Sequence, residues 1–178
     1  ELPPDAAEFV FWELRVPRVF LGAMVGAVLG LVGATYQSIF CNPLATPSTV
    51  GTTAGAVLGA LVAVVFFSGG EVAGLPVIAV AAFVGALVVT LFVAGIASSG
   101  RASTSDVLLA GIAITLGASA LASGIQFQAD MAATFQAVRW SLGNLAQVGY
   151  RGALTLAPFA LVTVVVLLSQ TRALASLA

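Results

Sequence analysis

Charge is scarce in this sequence, and two residue types that carry much of protein chemistry are missing altogether. The 178 residues include no histidine, no lysine and a single cysteine, against six arginines and seven acids. Only 7% of the residues are charged, whereas a soluble domain averages about 25%. The chain therefore cannot cover itself with a polar surface, and this composition predicts a membrane protein.

The same absences exclude several classes of function. Without histidine there is no base beside a serine or cysteine nucleophile, and Glu71, Asp106 and Asp130 stand at the ends of different predicted helices. Without lysine the chain has no G-x-x-x-x-G-K-[ST] phosphate loop. One cysteine and scattered acids offer no metal-ligand cluster, and a net charge of −1 gives no basic patch for nucleic acid. We expect no catalytic site, no metal and no cofactor bound by this chain.

Long apolar runs fill most of the sequence, which is 60% hydrophobic with a mean hydropathy of +1.13. The run Val19 to Phe40 has 22 residues and no charge. As a helix it would span ~33 Å, enough for a hydrocarbon layer of ~30 Å. The pattern predicts an all-α, polytopic transmembrane helix bundle that forms a single domain over residues 1–178. The predicted spanning helices are five, at about 18–40, 49–67, 76–97, 106–126 and 152–169.

Glycine recurs at every fourth position in the first two runs. Two sets each share a helix face: Gly22, Gly26 and Gly30 in the first run, and Gly51, Gly55 and Gly59 in the second. In water such glycines would only weaken a helix, but in lipid a stripe of small residues lets a neighbouring backbone come close. We predict that these glycines pack helices and do not bind a ligand.

Polar segments interrupt the runs. Residues 1–14 carry acids and aromatic side chains typical of a membrane interface, and Pro17 predicts the start of the first long helix. Asn42, Pro43 and Pro47 then break the chain, which predicts either a conduit or an ordinary interfacial loop. The stretch 127–151 predicts amphipathic helical pieces. We expect no signal peptide, and the abrupt ends suggest a fragment.

Several of these stretches resemble the FecCD/BtuC-type permeases, the membrane subunits of ABC importers for ferric siderophores, haem and cobalamin. They are LRVPR, GATYQ and NPLATPSTVGTTAGA in the first third, and then Ser103-Thr104-Ser105, LLAG at 108–111 and Trp140 with Ser141, Leu142 and Gly143. The NPLA-x-P-x-x-x-G segment is the most specific of them. The resemblance covers nearly the whole chain but only about the first half of such a subunit, and it implies a BtuC-like helix bundle.

The resemblance also implies a gate. In the family, the Asn and Leu of NPL and the Thr-Ser of the STS segment narrow the cytoplasmic end of the path, and these match Asn42, Leu44, Thr104 and Ser105. The residues themselves allow a simpler interpretation. Asn42 could close a turn, and Thr104 with Ser105 could cap a helix.

A docking surface is implied in the same way. The family's two outward arginines meet carboxylates of an extracytoplasmic substrate-binding protein, and they match Arg15 and Arg18. The alternative is an interfacial arginine pair that neutralises Glu8 and Glu13. The arginines also bear on orientation. The resemblance leaves four arginines outside and two inside, whereas the positive-inside rule favours the reverse. We follow the resemblance, because six charges are a small count.

The implied protein is a multi-pass permease of the cytoplasmic (inner) membrane and is not an enzyme. It would import an iron chelate such as a ferric siderophore, with haem or cobalamin as alternatives. A second permease copy or a paralogous permease would complete the path. Cytoplasmic ATPase subunits would bind ATP and Mg²⁺, a binding protein would deliver the substrate, and lipid would surround the spans.

Two other classes of protein remain open. An ATP-independent secondary transporter or channel would also use broken helices. Such proteins often carry ionisable residues inside their spans, and no predicted span here has one in its middle. A membrane scaffold is the weaker alternative.

Overall fold

The computed structural model describes residues 4–67, 70–100, 102–143, 145 and 149–170. The helices are α1 (Pro4–Phe9), a π-helical segment (Val10–Arg15), α2 (Val16–Phe40), α3 (Thr52–Phe66), α4 (Val77–Ser98), α5 (Thr104–Gln128), α6 (Met131–Ser141) and α7 (Tyr150–Ser169). Strands β1 (Glu71–Val72) and β2 (Leu75–Pro76) form a short antiparallel hairpin before α4.

The first long helix begins earlier than its sequence predicts. Ala6–Phe40 is one apolar helix of 35 residues, about 52 Å long at ~1.5 Å per residue. Pro17 was expected at the start of this helix but lies inside it and is buried. The helix continues because the preceding turns adopt the wider π register, in which the Val16 N–H donates to the Phe11 carbonyl five residues back.

Four helices are long and apolar enough to cross a membrane: Ala6–Phe40, α4, α5 and α7. At 15 residues, α3 is shorter and would rise about 22 Å. α6, with 11 residues, supplies the helical piece predicted within 127–151. These lengths confirm the predicted all-α, polytopic class and are roughly consistent with five spans. They fit a multi-pass membrane protein.

The chain divides into two compact units, Glu1–Ala45 with Gly143–Ala178, and Thr46–Leu142. In the first unit α2 packs against α7, and the late residues Val32 and Tyr36 of α2 lie near the late residues Val162 and Val166 of α7. These two helices therefore run parallel. A single permease domain over 1–178 stays a prediction.

In the second unit α3 packs most extensively against α4 and then against α5. Gly55 faces Gly85 and Gly59 faces Ala81, so α3 and α4 are antiparallel. Parallel helices such as α2 and α7 must be separated by an odd number of membrane crossings. The successive helices α3, α4 and α5 make that number only if the short α3 crosses too.

Small residues predominate in the buried core, and many large apolar residues are exposed. Alanines dominate the core of the second unit: Ala60, Ala63, Ala82, Ala118 and Ala122. Large apolar side chains stand exposed on α4 and α5: Phe83, Val88, Leu91, Phe92, Leu109, Leu116 and Leu121. This arrangement suits helices that approach closely inside lipid, where burial of large side chains brings no gain over contact with acyl chains.

Candidate functional site

The chain leaves α2 through a tight turn that its own polar groups hold together. Cys41 adopts a left-handed conformation with φ of 46°, and the Asn42 N–H donates to the Gln37 carbonyl at 3.2 Å. The Asn42 side-chain oxygen accepts the Leu44 N–H at 2.9 Å, and the Gln37 amide donates to the Pro43 carbonyl at 3.0 Å. Asn42 thus closes a turn. That turn leaves Leu44 79% exposed.

Residues 46–50 form a second turn, at the start of the second unit. The Thr46 and Ser48 hydroxyls lie 2.7 Å apart, and the Thr49 hydroxyl donates to the Thr46 carbonyl at 2.7 Å. Val50 is buried, and Gly51, with φ of 85°, is the N-cap residue directly before α3. The threonines and serine of this segment thus hold a defined backbone path into the helix.

The helix cap of α5 falls beside the predicted gate residues and not on them. Ser103 Oγ accepts the Asp106 N–H at 3.3 Å, and Asp106 Oδ2 accepts the Ser103 N–H at 2.8 Å, which is a complete capping box. The simpler interpretation of Thr104 and Ser105 as caps is therefore wrong. Both are the first helical residues, and both are exposed.

The predicted gate residues are divided between the two units. Asn42 and Leu44 belong to the first unit, and Thr104 and Ser105 belong to the second. Two predicted crossings, α3 and α4, separate the two pairs along the chain. Both pairs should therefore lie on one side of the membrane, and their role as a gate stays a prediction.

A groove with hydroxyl and amide side chains among apolar ones lies between α3 and α5 inside the second unit, and the sequence analysis did not predict it. Its volume is about 430 Å³. Three alanines and one valine line it together with hydroxyl and amide side chains: Ser48, Thr53, Thr115, Ser119, Ser123 and Gln126. None of the lining residues is charged. Thr115, Ser119 and Ser123 recur at every fourth position of α5, so the same periodicity that marked the glycines could have revealed this face.

The hydroxyls of this groove are oriented by their own helix. Thr115 Oγ1 donates to the Gly111 carbonyl at 2.9 Å, and Ser123 Oγ donates to the Ser119 carbonyl at 3.0 Å. Each hydroxyl has one proton to donate and two lone pairs. Because the proton of Thr115 and of Ser123 is engaged within the helix, these two side chains present acceptor oxygens to the groove.

The arginine pair lies within the first long helix. Arg15 ends the π-helical segment and Arg18 follows Pro17 in α2, and both are exposed. The predicted helix start at Pro17 would have placed both at a helix N-terminus. Neither is there, because α1 and the π-helical segment precede α2 without a break. The aromatic residues Phe11 and Trp12 beside them are exposed and pack edge to face, with ring centroids 5.1 Å apart.

The two glycine sets have different surroundings. A Cβ on Gly55 would lie 2.6 Å from the Gly85 carbonyl oxygen, and one on Gly59 would meet the Ala81 carbonyl oxygen. On α2, a Cβ on Gly22 would touch only Leu145 Cδ1 at 3.7 Å, and no atom lies within 4 Å of one on Gly26 or Gly30. Backbone atoms of α4 thus lie close to α3 at Gly55 and Gly59, whereas Gly51 precedes α3 with a φ of 85° and does not share their helix face.

The chain matches the family model of the FecCD transport family over residues 3–178. It belongs to that family. It is 32% identical over 171 residues to the hemin transport system permease protein HmuU of Yersinia pestis, an alignment that covers 96% of this chain and 51% of HmuU. It is 33% identical over 147 residues to the vitamin B12 import system permease protein BtuC of Serratia proteamaculans, covering 83% of this chain and 43% of BtuC.

A solved structure also resembles this FecCD chain in fold. It is described as a metal-chelate type ABC transporter in an inward-facing conformation, and it superposes with a TM-score of 0.85 at 25% identity. The superposition covers 100% of this chain and 56% of that one. The FecCD/BtuC resemblance predicted from the motifs is confirmed. The chain spans about half the length of the curated relatives it matches.

Cysteines introduced at the two predicted gate segments of the FecCD chain should react from the same side of the membrane. Leu44→Cys and Thr104→Cys are each placed in a Cys41→Gly background, since glycine tolerates the positive φ at that position. We expect both to react with an impermeant maleimide from the cytoplasmic side, measured in vesicles of known orientation. Val72→Cys in the hairpin, one crossing away, should react from the other side. Labelling of Leu44→Cys and Thr104→Cys from opposite sides would refute the crossing count.

Proposed function

We propose that this protein is the permease subunit of a binding-protein-dependent ABC importer that moves a metal chelate across the cytoplasmic membrane. The observation that carries the proposal is the match of residues 3–178 to the FecCD transport family. The names of two relatives, hemin and vitamin B12 permeases, and the description of the matched structure as a metal-chelate transporter support it.

The groove between α3 and α5 is our candidate for part of the path. Its volume of about 430 Å³ falls in the range of small-molecule sites, ~300–1,000 Å³. Its hydroxyls can accept hydrogen bonds from the rim of a large polar chelate, while its alanines leave room. Because no charged residue lines the groove, it would bind an ionic group only weakly, and release of the cargo would not limit transport. The favoured cargo is a ferric siderophore, with haem and cobalamin as alternatives.

Other subunits would supply the remaining components of the proposed importer. ATP and Mg²⁺ would bind cytoplasmic ATPase subunits, because a chain without lysine has no phosphate loop of its own. A second permease copy or a paralogous permease would close the path. An extracytoplasmic binding protein would dock at Arg15 and Arg18. Leu44, exposed on its turn, and Thr104 and Ser105 at the start of α5 would narrow the cytoplasmic end.

The test is uptake by the full-length subunit purified with the ATPase and binding protein that accompany it. Vesicles containing the complex should accumulate one of three probes, hemin, a ferric siderophore or cyanocobalamin, only when ATP is supplied. Uptake without the ATPase, driven by an ion gradient, would instead establish the secondary-transporter alternative.

The groove has its own prediction within the same assay. Ser119→Leu should lower the maximal uptake rate at least fivefold, because the larger side chain fills the groove and removes an acceptor oxygen. Leu116→Met is the matched control on the same helix, since Leu116 is 67% exposed and does not line the groove. Equal uptake by the two variants would remove the groove from the path and leave the family assignment untouched.

A further inference from the structure

Pro17 deprives one carbonyl of its expected backbone donor. In the π-helical segment the Val16 N–H donates to the Phe11 carbonyl, five residues back. The amide that would reach the Trp12 carbonyl in the same register belongs to residue 17, which is proline and has no N–H. A helix carbonyl that has lost its backbone donor is normally satisfied by another group, such as a side chain or water.

The side chain of Tyr150 supplies that donor. Its hydroxyl donates to the Trp12 carbonyl oxygen at 2.9 Å, across 138 residues of sequence. Tyr150 is the first residue of α7, and it belongs with Trp12 to the first compact unit. The hydrogen bond therefore ties the start of α7 to the turn that precedes Pro17.

The register of this turn decides which way its side chains point. A π turn holds one residue more than an α turn, so its conversion would rotate the preceding residues by about 100° relative to α2. Phe11, Trp12 and Arg15 all lie in the π-helical segment, whereas Arg18 lies beyond Pro17. Whatever holds the π register therefore holds Arg15 in a fixed relation to Arg18.

We propose that Tyr150 is a positioning residue: its hydroxyl replaces the amide that Pro17 lacks, holds the π register of Val10–Arg15, and so aligns Arg15 with Arg18 for a docking partner. The docking role itself rests on the proposed function. The hydrogen bond and its effect on the segment stand apart from that function and have a measurement of their own.

The first test is a double-mutant cycle in the full-length transporter, read as stimulation of its ATPase by the binding protein. Tyr150→Phe removes only the hydroxyl, and it should raise the half-saturating concentration of binding protein three- to tenfold while the maximal rate stays unchanged. Pro17→Ala restores a backbone N–H. In the Pro17→Ala background, Tyr150→Phe should therefore change the half-saturating concentration less than 1.5-fold. An equal increase of the half-saturating concentration in both backgrounds would overturn the proposal, since a general structural role of Tyr150 would not depend on Pro17.

Tyr36→Phe provides the matched control, because it removes the hydroxyl of the chain's other tyrosine from the far end of α2. It should leave the half-saturating concentration unchanged. A change as large as that of Tyr150→Phe would overturn the proposal, because the effect would then belong to tyrosine hydroxyls in general.

The second test, amide hydrogen exchange of residues 10–16, does not depend on docking. Tyr150→Phe should speed exchange there at least threefold and leave α3 unchanged. If exchange rises in Tyr150→Phe while the double variant Arg15→Glu with Arg18→Glu leaves docking unaltered, the proposed docking surface is refuted and the positioning effect of the hydrogen bond is supported. If arginine reversal weakens docking while Tyr150→Phe changes neither exchange nor half-saturation, the positioning role is overturned.

Discussion

Gly85→Ala in α4 is expected to destabilise the protein by roughly 1–3 kcal/mol, the usual cost of overpacking a tight contact. A Cβ on Gly85 would meet the Gly55 carbonyl oxygen and approach the Gly59 Cα at 3.3 Å. Both neighbours are backbone atoms of α3, and neither can turn aside as a flexible side chain would. The methyl group can be accommodated only if the two helices move apart. The measurement is the unfolding free energy of the full-length subunit in detergent.

Gly95→Ala is the matched control on the same helix. No atom lies within 4 Å of a Cβ built there, so the substitution meets open space. Alanine is also a better helix former than glycine by up to about 1 kcal/mol. Gly95→Ala should therefore be neutral or slightly stabilising, opposite in sign to Gly85→Ala. Equal destabilisation by both variants would contradict the close backbone contact between α3 and α4.

Reversing both arginines, Arg15→Glu with Arg18→Glu, is expected to weaken association of the binding protein more than tenfold. Both side chains are exposed, and the planar guanidinium pairs well with a partner carboxylate. Exposed pairs contribute only ~0–1 kcal/mol, whereas pairs desolvated in an interface can cost ~2–5 kcal/mol to break. The affinity of the binding protein for the reconstituted transporter decides the outcome, and assembly with the ATPase should survive.

Salt and a control variant separate docking from a general charge effect. The difference between wild type and the reversed pair should shrink at high salt, because screening weakens the wild-type interaction itself. Arg139→Glu, an exposed arginine in the last turn of α6, should change affinity less than twofold. Unchanged affinity in the double reversal would leave Arg15 and Arg18 as interfacial anchors.

The middle of the fold could be predicted closely from the sequence. Helices expected at 76–97 and 106–126 are found at Val77–Ser98 and Thr104–Gln128. No charged residue lies in the interior of either run, and polar residues mark their ends. The start of the first helix could not be predicted in this way. Proline normally favours a helix start, and nothing in local propensity shows that a π turn will let the helix pass it.

Some of the candidate functional residues could also be predicted from the sequence, and others could not. The NPLA motif pointed to the turn after α2, although its hydrogen bonds became visible only in the structure. The groove had a signal in the spacing of Thr115, Ser119 and Ser123. The Tyr150–Trp12 contact had none, because it joins residues 138 apart. The glycines of α2 and α3 have the same spacing but different surroundings. The spacing predicts which residues share a helix face, but it does not predict which element packs against that face.

The length of the first helix has a mechanical consequence. The continuous helix connects the arginine pair to the turn at Asn42. From Arg15 to its last residue, Phe40, it is about 38 Å long at ~1.5 Å per residue, and Asn42 lies two residues further along the chain. A tilt of about 5° around its midpoint would displace each end by ~2 Å, in opposite directions. In the proposed transporter, a partner that binds at the arginine pair and tilts the helix would thereby move the turn at Asn42. The π-helical segment lies at the arginine end of that helix, and the proposed role of the Tyr150 hydrogen bond is to hold the register of this segment.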